Sequence, residues 1–558
     1  MASSGSVFFA SKTGLALLAA AVVGGGVLFI RLRKKSKTVI HLKERFVSVR
    51  NNSWLSLVGL GNIMTTTRDR RGLANQGHQG QPATSKNDLL QRQQHPEGPN
   101  IGYNSDASWF GRAATNGTNT ATVTKQQRSG NSALYGNGKG EKLIIALVGM
   151  PNSGKTYIAR KISRYLRWIS YRTRAFSIAK YRLDRLGTKS AEFFDPKSEA
   201  SYQQRITNLR DALDDAIRYL ERGGDVAILD GTNISKDRRK LITDRVNELD
   251  GLDILWIESL RSREDSDITE QEFEELKQSP DVLDREDYVK KMALYRSTYE
   301  QLEEEEGSFI KLYDDGHKVT LHQIHGFLRT KIVSYVMNLH RVPHPVYFVR
   351  HGESDFNVSG LIGGDSALSP RGLRFSRALG DFLHLDELPA VGLNAVDELV
   401  VWTSNLRRAW ETASEIKCKQ LVEWRSLREI EVGVCDGLSY EQIQLQFPEE
   451  YRRRNQDKLS YRYPRGESYM DVMARLEPVI FELERQRKPL LIVAHQAVLR
   501  CLYAYMLDLP AEEIPFLSIP LHTLVRLEAK AYGVKEKRMR IVVDGDPPEL
   551  PTDKSQMY

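Results

Sequence analysis

From residue 142 onward, short apolar runs alternate with amphipathic stretches. KLIIALVGM (142–150) is a continuous apolar run, which fits a strand buried on both faces, and DVAILD (225–230) and LDILWIES (252–259) repeat that pattern. Between them, ITNLRDALDDAIRYL (206–220) spaces its apolar residues three and four apart, the period of a helix. A second series follows with VYFVRHGE (346–353), LVVWTS (399–404) and LLIVAHQAVLRC (490–501). Alternating strand and helix predict a mostly parallel sheet in each series, hence two α/β domains, at 141–341 and 342–535, with a tail at 536–558. HQIHGFLRTKIVSYVMNL (322–339) is expected to be the helix that joins them.

The first 140 residues read differently. Thr13 to Ile30 is an uncharged apolar run, followed at once by RLRKKSK. At 1.5 Å per residue it would reach roughly 27 Å as a helix, enough for a bilayer core. The one-sided basic flank predicts a membrane anchor over 1–40 that leaves the large C-terminal portion in the cytosol. Residues 41–140 are rich in Gly, Asn, Gln, Ser and Thr without helical or strand period, which predicts a flexible spacer. Charge follows the same division. The 558-residue chain carries a net +8, but residues 1–140 hold +13 and the remainder −5. The basic pI therefore belongs to the N-terminal segment, and no nucleic-acid partner is expected. Three cysteines (Cys418, Cys435, Cys501) exclude a disulfide framework and a Cys-based zinc site.

Directly after the first buried strand, Gly149-Met150-Pro151-Asn152-Ser153-Gly154-Lys155-Thr156 fits G-x-x-x-x-G-K-[ST]. Its glycines allow backbone N–H groups to turn inward on phosphates. Lys155 would reach the β- and γ-phosphates of ATP and the Thr156 hydroxyl would ligate Mg²⁺. Asp230, at the end of VAILD, is the expected second metal ligand.

In the second series, Arg350-His351-Gly352-Glu353 and His495 both fall at strand carboxyl ends, where ligands bind in open α/β sheets. Imidazole is neutral near pH 7 and needs no separate base to act as a phosphoryl nucleophile. Adjacent guanidinium groups offset the charge of the transferred phosphate. No H-x-x-x-H or Cys spacing supports zinc at these histidines.

The finer text resembles a known family, the bifunctional 6-phosphofructo-2-kinase/fructose-2,6-bisphosphatases. RYLRW (164–168), Tyr181-Arg182-Leu183 and DGTNISKDRR (230–239) resemble its kinase half. RHGESDFN, LIGGDSALSPRG, VWTSNLRRAWETA, LREIEVGVCDGLSYEQI, YRYPRGESY and AHQAVLRC resemble its bisphosphatase half, in order. The resemblance implies a P-loop kinase domain followed by a phosphoglycerate mutase-like histidine phosphatase domain, with fructose 6-phosphate, fructose 2,6-bisphosphate and ATP as partners. It places Arg182, Arg205, Thr232, Arg238 and Tyr295 with Asp230 around fructose 6-phosphate or the metal. In the phosphatase half it implies His351 as nucleophile, Arg350, Asn357, Arg408 and His495 around the transferred phosphate, and Glu429 as acid and base. Gly363, Tyr440, Arg462, Arg465, Tyr469, Gln496 and Arg500 would bind the sugar and its 6-phosphate.

Three positions depart from the family's kinase text. Leu183 and Lys291 stand where it has Arg, and Leu276, followed by Lys277, stands where it has an ATP-contacting Lys. ATP binding with slow transfer is therefore expected. A monofunctional bisphosphatase whose kinase fold only binds nucleotide is the alternative, a tethered scaffold and a phosphoglycerate mutase are rivals, and homodimerisation stays open.

Overall fold

A computed structural model of the chain describes residues 142–261, 273–274, 276–277, 282–340, 344–530 and 533–543, with the backbone alone of 17–23, 26–32 and 40–47. Strands are numbered in chain order: β1 Leu17–Val23, β2 Gly26–Leu32, β3 Ile40–Val47, β4 Lys142–Val148, β5 Thr173–Ser177, β6 Val226–Asp230, β7 Leu252–Leu260, β8 Phe309–Tyr313 and β9 Lys318–His322. The second domain adds β10 Pro345–Arg350, β11 Val400–Ser404, β12 Gln420–Trp424, β13 Leu490–Ala494, β14 Thr523–Lys530 and β15 Gly533–Ile541.

The first sheet has the order β5-β6-β4-β7-β8-β9, parallel except for β9. Its central strand explains the unbroken apolar run. Leu143, Ile145 and Leu147 pack with helix Lys155–Trp168, while Ile144, Ala146 and Val148 pack with helix Glu199–Glu221 on the opposite face. A strand covered on both sides has no solvent face on which to place a polar residue. The sequence of β4 continues into the phosphate loop at a point flanked by β6 and β7, on either side of the central strand.

The second sheet has the order β12-β11-β13-β10-β14-β15-β3. β12, β11, β13 and β10 are parallel; β14 and β15 are antiparallel additions. Because β10 and β13 are neighbours, the residues that follow each of them emerge side by side, and His351 N–H donates to Ala494 O at 3.0 Å.

The domains share a packed interface. Helix Lys155–Trp168, which begins in the phosphate loop, lies with helix Phe327–Val336 against helices Tyr469–Arg485 and Gln496–Leu507 of the second domain. Tyr165 stacks on Tyr335 with centroids 4.3 Å apart and donates to Glu477. Glu484 receives Lys161 at 2.6 Å and Arg164 at 2.5 Å. Burial alone would raise the Glu484 carboxyl, yet Lys161 and Arg164 overcome it and hold it at about 2. Lys161 moves against its own charge, pushed down to about 8 by burial and by Arg164. The pair therefore stabilises less than the carboxylate alone suggests, as expected for charges taken out of water.

Three expectations change. The joining helix begins only at Phe327, because 318–322 forms β9 and Gly326 stands at φ 85°, outside helical backbone. The apolar run expected as a helical anchor instead carries β1 and β2, paired antiparallel with Val23 opposite Gly26. Gly24 to Gly26 disfavour a continuous helix, each glycine costing about 1 kcal/mol there. Among the described residues no helix is long and apolar enough to cross a membrane. Third, β3 pairs with β15, which itself runs past the boundary expected at 535. Beyond Val47, the segment expected as a spacer lies outside the described residues up to 141, as does the tail beyond Val543.

Candidate active sites

The phosphate loop turns on two glycines. Gly149 has φ 139°, and a Cβ there would stand 2.5 Å from Ser259 O, so only glycine fits; Gly154 has φ 91°. Gly149 N–H donates to Thr232 O at 2.9 Å, which ties the loop to the segment after β6. Asn152 donates to the Tyr288 hydroxyl, and Ser153 O accepts from Ser259 Oγ. The Lys155 ammonium folds back on Met150 O and the Ser153 hydroxyl. Thr156 Oγ1 donates to Asp230 Oδ2 at 2.8 Å. Burial pushes the Asp230 carboxyl up, against Thr156, Lys155 and Arg160. A buried carboxylate beside a hydroxyl is an oxygen donor set that suits Mg²⁺, which takes one or two protein ligands and completes its shell with water and phosphate.

The arginines expected around fructose 6-phosphate do come together, and the group that gathers them was not singled out from sequence. It is Phe194, in the short 3-10 turn Ala191–Phe194. Arg182 lies over its ring at 5.4 Å and Lys291 at 4.2 Å, Tyr295 packs against it at 5.5 Å, and Arg205 donates to its carbonyl at 2.9 Å. Arg238, lowered to about 10 mainly by burial, feels Tyr295 and Arg205, so it borders the same cluster. Its Nε donates to Asn233, whose own amide holds Leu147 O at the end of β4. Of the departures, Lys291 is buried within this cluster. Leu276 instead packs on the small core of Phe273, Tyr288 and Met292, and Lys277 pairs with Glu274.

In the second domain the rings of His351 and His495 lie 5.0 Å apart at 54°. His351 Nδ1 is 2.7 Å from Gly352 O, which fixes the proton on Nδ1 and leaves a lone pair on Nε2, and Arg408 Nε donates to that Nε2 at 3.3 Å. Burial, then Arg350 and Arg408, push His351 well below the usual imidazole range. His495 is lowered likewise by burial and by His351, and neither of its ring nitrogens has a hydrogen-bond partner. Gly352 N–H is held by Thr412, and Asn357 Oδ1 closes the capping box on Ser354.

A cavity of about 250 Å³ opens beside this pair, lined by Gly363, Arg408, Glu429, Asp436 and Arg465 among others. Gly363, at φ 78°, admits Asp436, whose carboxylate would lie 1.8 Å from a Cβ there. Arg350, lowered to about 10 by burial, feels Glu429, Arg500, Arg408 and Tyr440 and so links the histidines to the sugar-binding candidates. Arg500 is anchored on Leu517 O and the Tyr469 hydroxyl, and Gln496 opens the helix that follows His495.

Arg462 does not join this group; it faces solvent, paired with Asp471. The arginine that does reach this group is Arg454, which donates to the hydroxyls of Tyr463 at 2.7 Å and Tyr440 at 3.0 Å. Lys458 lies close by, lowered by burial and by Arg454 and Arg500. In sequence Arg454 ends the run Arg452-Arg453-Arg454, which reads as a solvated helix face; only the tertiary position of Tyr440 separates the third arginine from the other two.

A nucleotide-type phosphate loop on one sheet and paired strand-end histidines on the other define a P-loop kinase domain fused to a histidine phosphatase domain. The chain matches the 6-phosphofructo-2-kinase family over residues 131–343 and the histidine phosphatase superfamily (branch 1) over 346–542. It is 40% identical to 6-phosphofructo-2-kinase/fructose-2,6-bisphosphatase 4 of Rattus norvegicus, across 73% of this chain and 88% of that protein. Against the human protein of type 1 it is 39% identical, across 72% and 85%. A solved structure of a putative alpha-ribazole-5'-P phosphatase from Escherichia coli covers 35% of this chain and 94% of its own, at 24% identity and a TM-score of 0.31. The chain belongs to the 6-phosphofructo-2-kinase/fructose-2,6-bisphosphatase family.

Proposed function

We propose that the chain both makes and hydrolyses fructose 2,6-bisphosphate, at two separate sites. In the first, ATP phosphates rest on the Gly149–Thr156 amides and Lys155, while the Phe194 cluster (Arg182, Arg205, Arg238, Lys291, Tyr295) holds fructose 6-phosphate. Thr156 and Asp230 would hold Mg²⁺, which would supply charge neutralisation on the ATP phosphates. Asp230 ends β6, Thr232 lies in the turn that follows and Arg238 in the helix Lys236–Asn247 after it, so the acceptor is presented to the phosphate loop by the segment that Gly149 already grips. Transfer forms a bond from the sugar 2-hydroxyl oxygen to the γ-phosphorus and breaks that phosphorus's bond to the bridging oxygen, so that ADP leaves and the hydroxyl proton passes to solvent. Leu183 and Leu276 supply no charge, so synthesis is slow and the apparent KM for fructose 6-phosphate is raised.

In the second site, His351 Nε2 attacks the 2-phosphorus and the sugar C2 oxygen leaves with a proton from Glu429. Arg350, Arg408, Asn357 and His495 surround the phosphate oxygens. Water then attacks the phosphohistidine, giving its proton to Glu429, and inorganic phosphate leaves with His351 neutral again. Tyr440, Arg454, Lys458, Arg465, Tyr469 and Arg500 bind the sugar and its 6-phosphate, with Gly363 and Gln496 at the edges. The observation that carries this reading is the His351–His495 pair, with Arg408 on the one ring nitrogen left free to react. Incubation with 2-³²P-labelled fructose 2,6-bisphosphate should label the protein through an acid-labile, base-stable bond. His351→Ala should remove the label and hydrolysis together; a label that persists in that variant overturns the assignment.

A further inference from the structure

Glu429 sits on a segment with no ladder of its own. After the 3-10 turn Arg425–Leu427 the chain runs to Val432 without helix or strand, so no ladder holds the backbone that carries this carboxylate. One side chain from another element grips that backbone. Arg475, on helix Tyr469–Arg485, turns its guanidinium onto three carbonyls of this segment: Nη1 donates to Ser426 O at 2.5 Å, and Nη2 to Arg428 O at 2.8 Å and Glu429 O at 3.2 Å. The guanidinium is itself held by Glu467, through Nε to Oε1 at 2.8 Å and Nη2 to Oε2 at 3.1 Å.

Glu467 closes the other side. Its Oε2 accepts from Glu431 N–H at 3.0 Å and its own N–H donates to Glu431 O at 2.7 Å. Gly466 allows this approach, since a Cβ there would lie 2.3 Å from Glu431 O. The segment is thus gripped immediately before Glu429, at it and two residues after it. The far end of the carboxylate is set by Ala497 N–H, which donates to Oε1 at 3.0 Å from the helix that follows His495. Both clamp side chains are mostly buried, at 23% and 18% exposure. Three carbonyl and two carboxylate oxygens spread over Nε, Nη1 and Nη2 are met by the planar fork of a guanidinium and not by the single nitrogen of an ammonium.

We infer that Arg475, held by Glu467, is a positioning residue that sets the Glu429 carboxylate against the departing sugar oxygen and the attacking water. This rests on Glu429 being the acid and base proposed above. A misplacement of about 1 Å can cost roughly 100-fold in rate. The test is a cycle of Arg475→Lys and Glu429→Gln in the full chain, reading hydrolysis of fructose 2,6-bisphosphate, with fructose 2,6-bisphosphate synthesis as the control for an intact fold. Arg475→Lys should lower kcat for hydrolysis roughly 10- to 100-fold, with a smaller change in KM. In the Glu429→Gln background it should cost less than about twofold, because the group it positions is gone. Equal losses in both backgrounds, or an Arg475→Lys variant within about twofold of the unaltered chain, overturn the proposal alone. A Glu429→Gln protein of unchanged activity overturns the acid–base reading and the proposal with it. If Arg475→Lys does not fold, Glu467→Gln, which leaves the arginine charge in place, is read in the same cycle against the same outcomes.

Discussion

The two phosphate centres use the same kinds of side chain but hold them differently. In the phosphatase domain three of the cations are held by directed bonds: Arg408 between His351 Nε2 and Gly364 O, Arg500 between Leu517 O and Tyr469, and Arg454 between two tyrosine hydroxyls. In the kinase domain Arg182 and Lys291 lie over one aromatic ring, and Arg205 borrows the carbonyls of Phe194 and Asp195. A face-on ring contact orients a cation less sharply than a hydrogen bond does. The phosphatase centre thus spreads its cations over separate hydrogen-bonding partners, whereas the kinase centre gathers Arg182, Lys291 and Arg205 around the single residue Phe194.

The sharpest way to break this contrast is to remove one centre and read the other. Lys155→Met should abolish synthesis and leave hydrolysis unchanged. A fall in both would mean that the centres are not separable. Within the kinase centre, Lys291→Met should raise the KM for fructose 6-phosphate roughly 10- to 150-fold, the cost of one lost charge-assisted contact. If KM stays put, the Phe194 cluster is not the acceptor site. Lys291→Arg should lower KM only modestly, because the site it must fill is already packed.

The interface between the domains gives a smaller effect, on stability. Glu484→Gln leaves Lys161 and Arg164 buried without their carboxylate, and should cost about 3–5 kcal/mol in unfolding. Glu484 has a folded-state pKa near 2, below its ordinary value of 4.5. Its contribution is therefore present above pH 4.5 and lost as pH falls towards 2. Denaturant melts of the two proteins should converge over that window. Smallest of all is a pH effect on hydrolysis. Burial, Arg350 and Arg408 keep His351 unprotonated well below 6.5, so kcat/KM should show no imidazole limb near that pH. A limb centred there would mean that the nucleophile is solvated.

How much was legible beforehand follows the same division. The strands were readable because β4, β6, β10 and β13 are covered on both faces and so carry uninterrupted apolar runs. The phosphate loop and the two histidines were readable because their chemistry is local, within eight residues or at strand ends. Arg454, Lys458, Phe194 and Arg475 were not readable. Each meets its partners on other elements of the fold, and each has a local context that suits an ordinary surface or core residue. The apolar run at 13–30 misled because hydropathy and length cannot tell one helix from a strand pair, and only its glycines pointed to the strands.

The central claim is that one chain carries two opposed and working centres. It is tested most directly by measuring fructose 2,6-bisphosphate formed from Mg-ATP and fructose 6-phosphate by the His351→Ala protein, in which hydrolysis is silent. The account predicts steady accumulation of product with a high KM for fructose 6-phosphate, abolished when Lys155→Met is added. No product at saturating fructose 6-phosphate, from a protein that still binds ATP, would contradict it and leave a bisphosphatase with a nucleotide-binding domain.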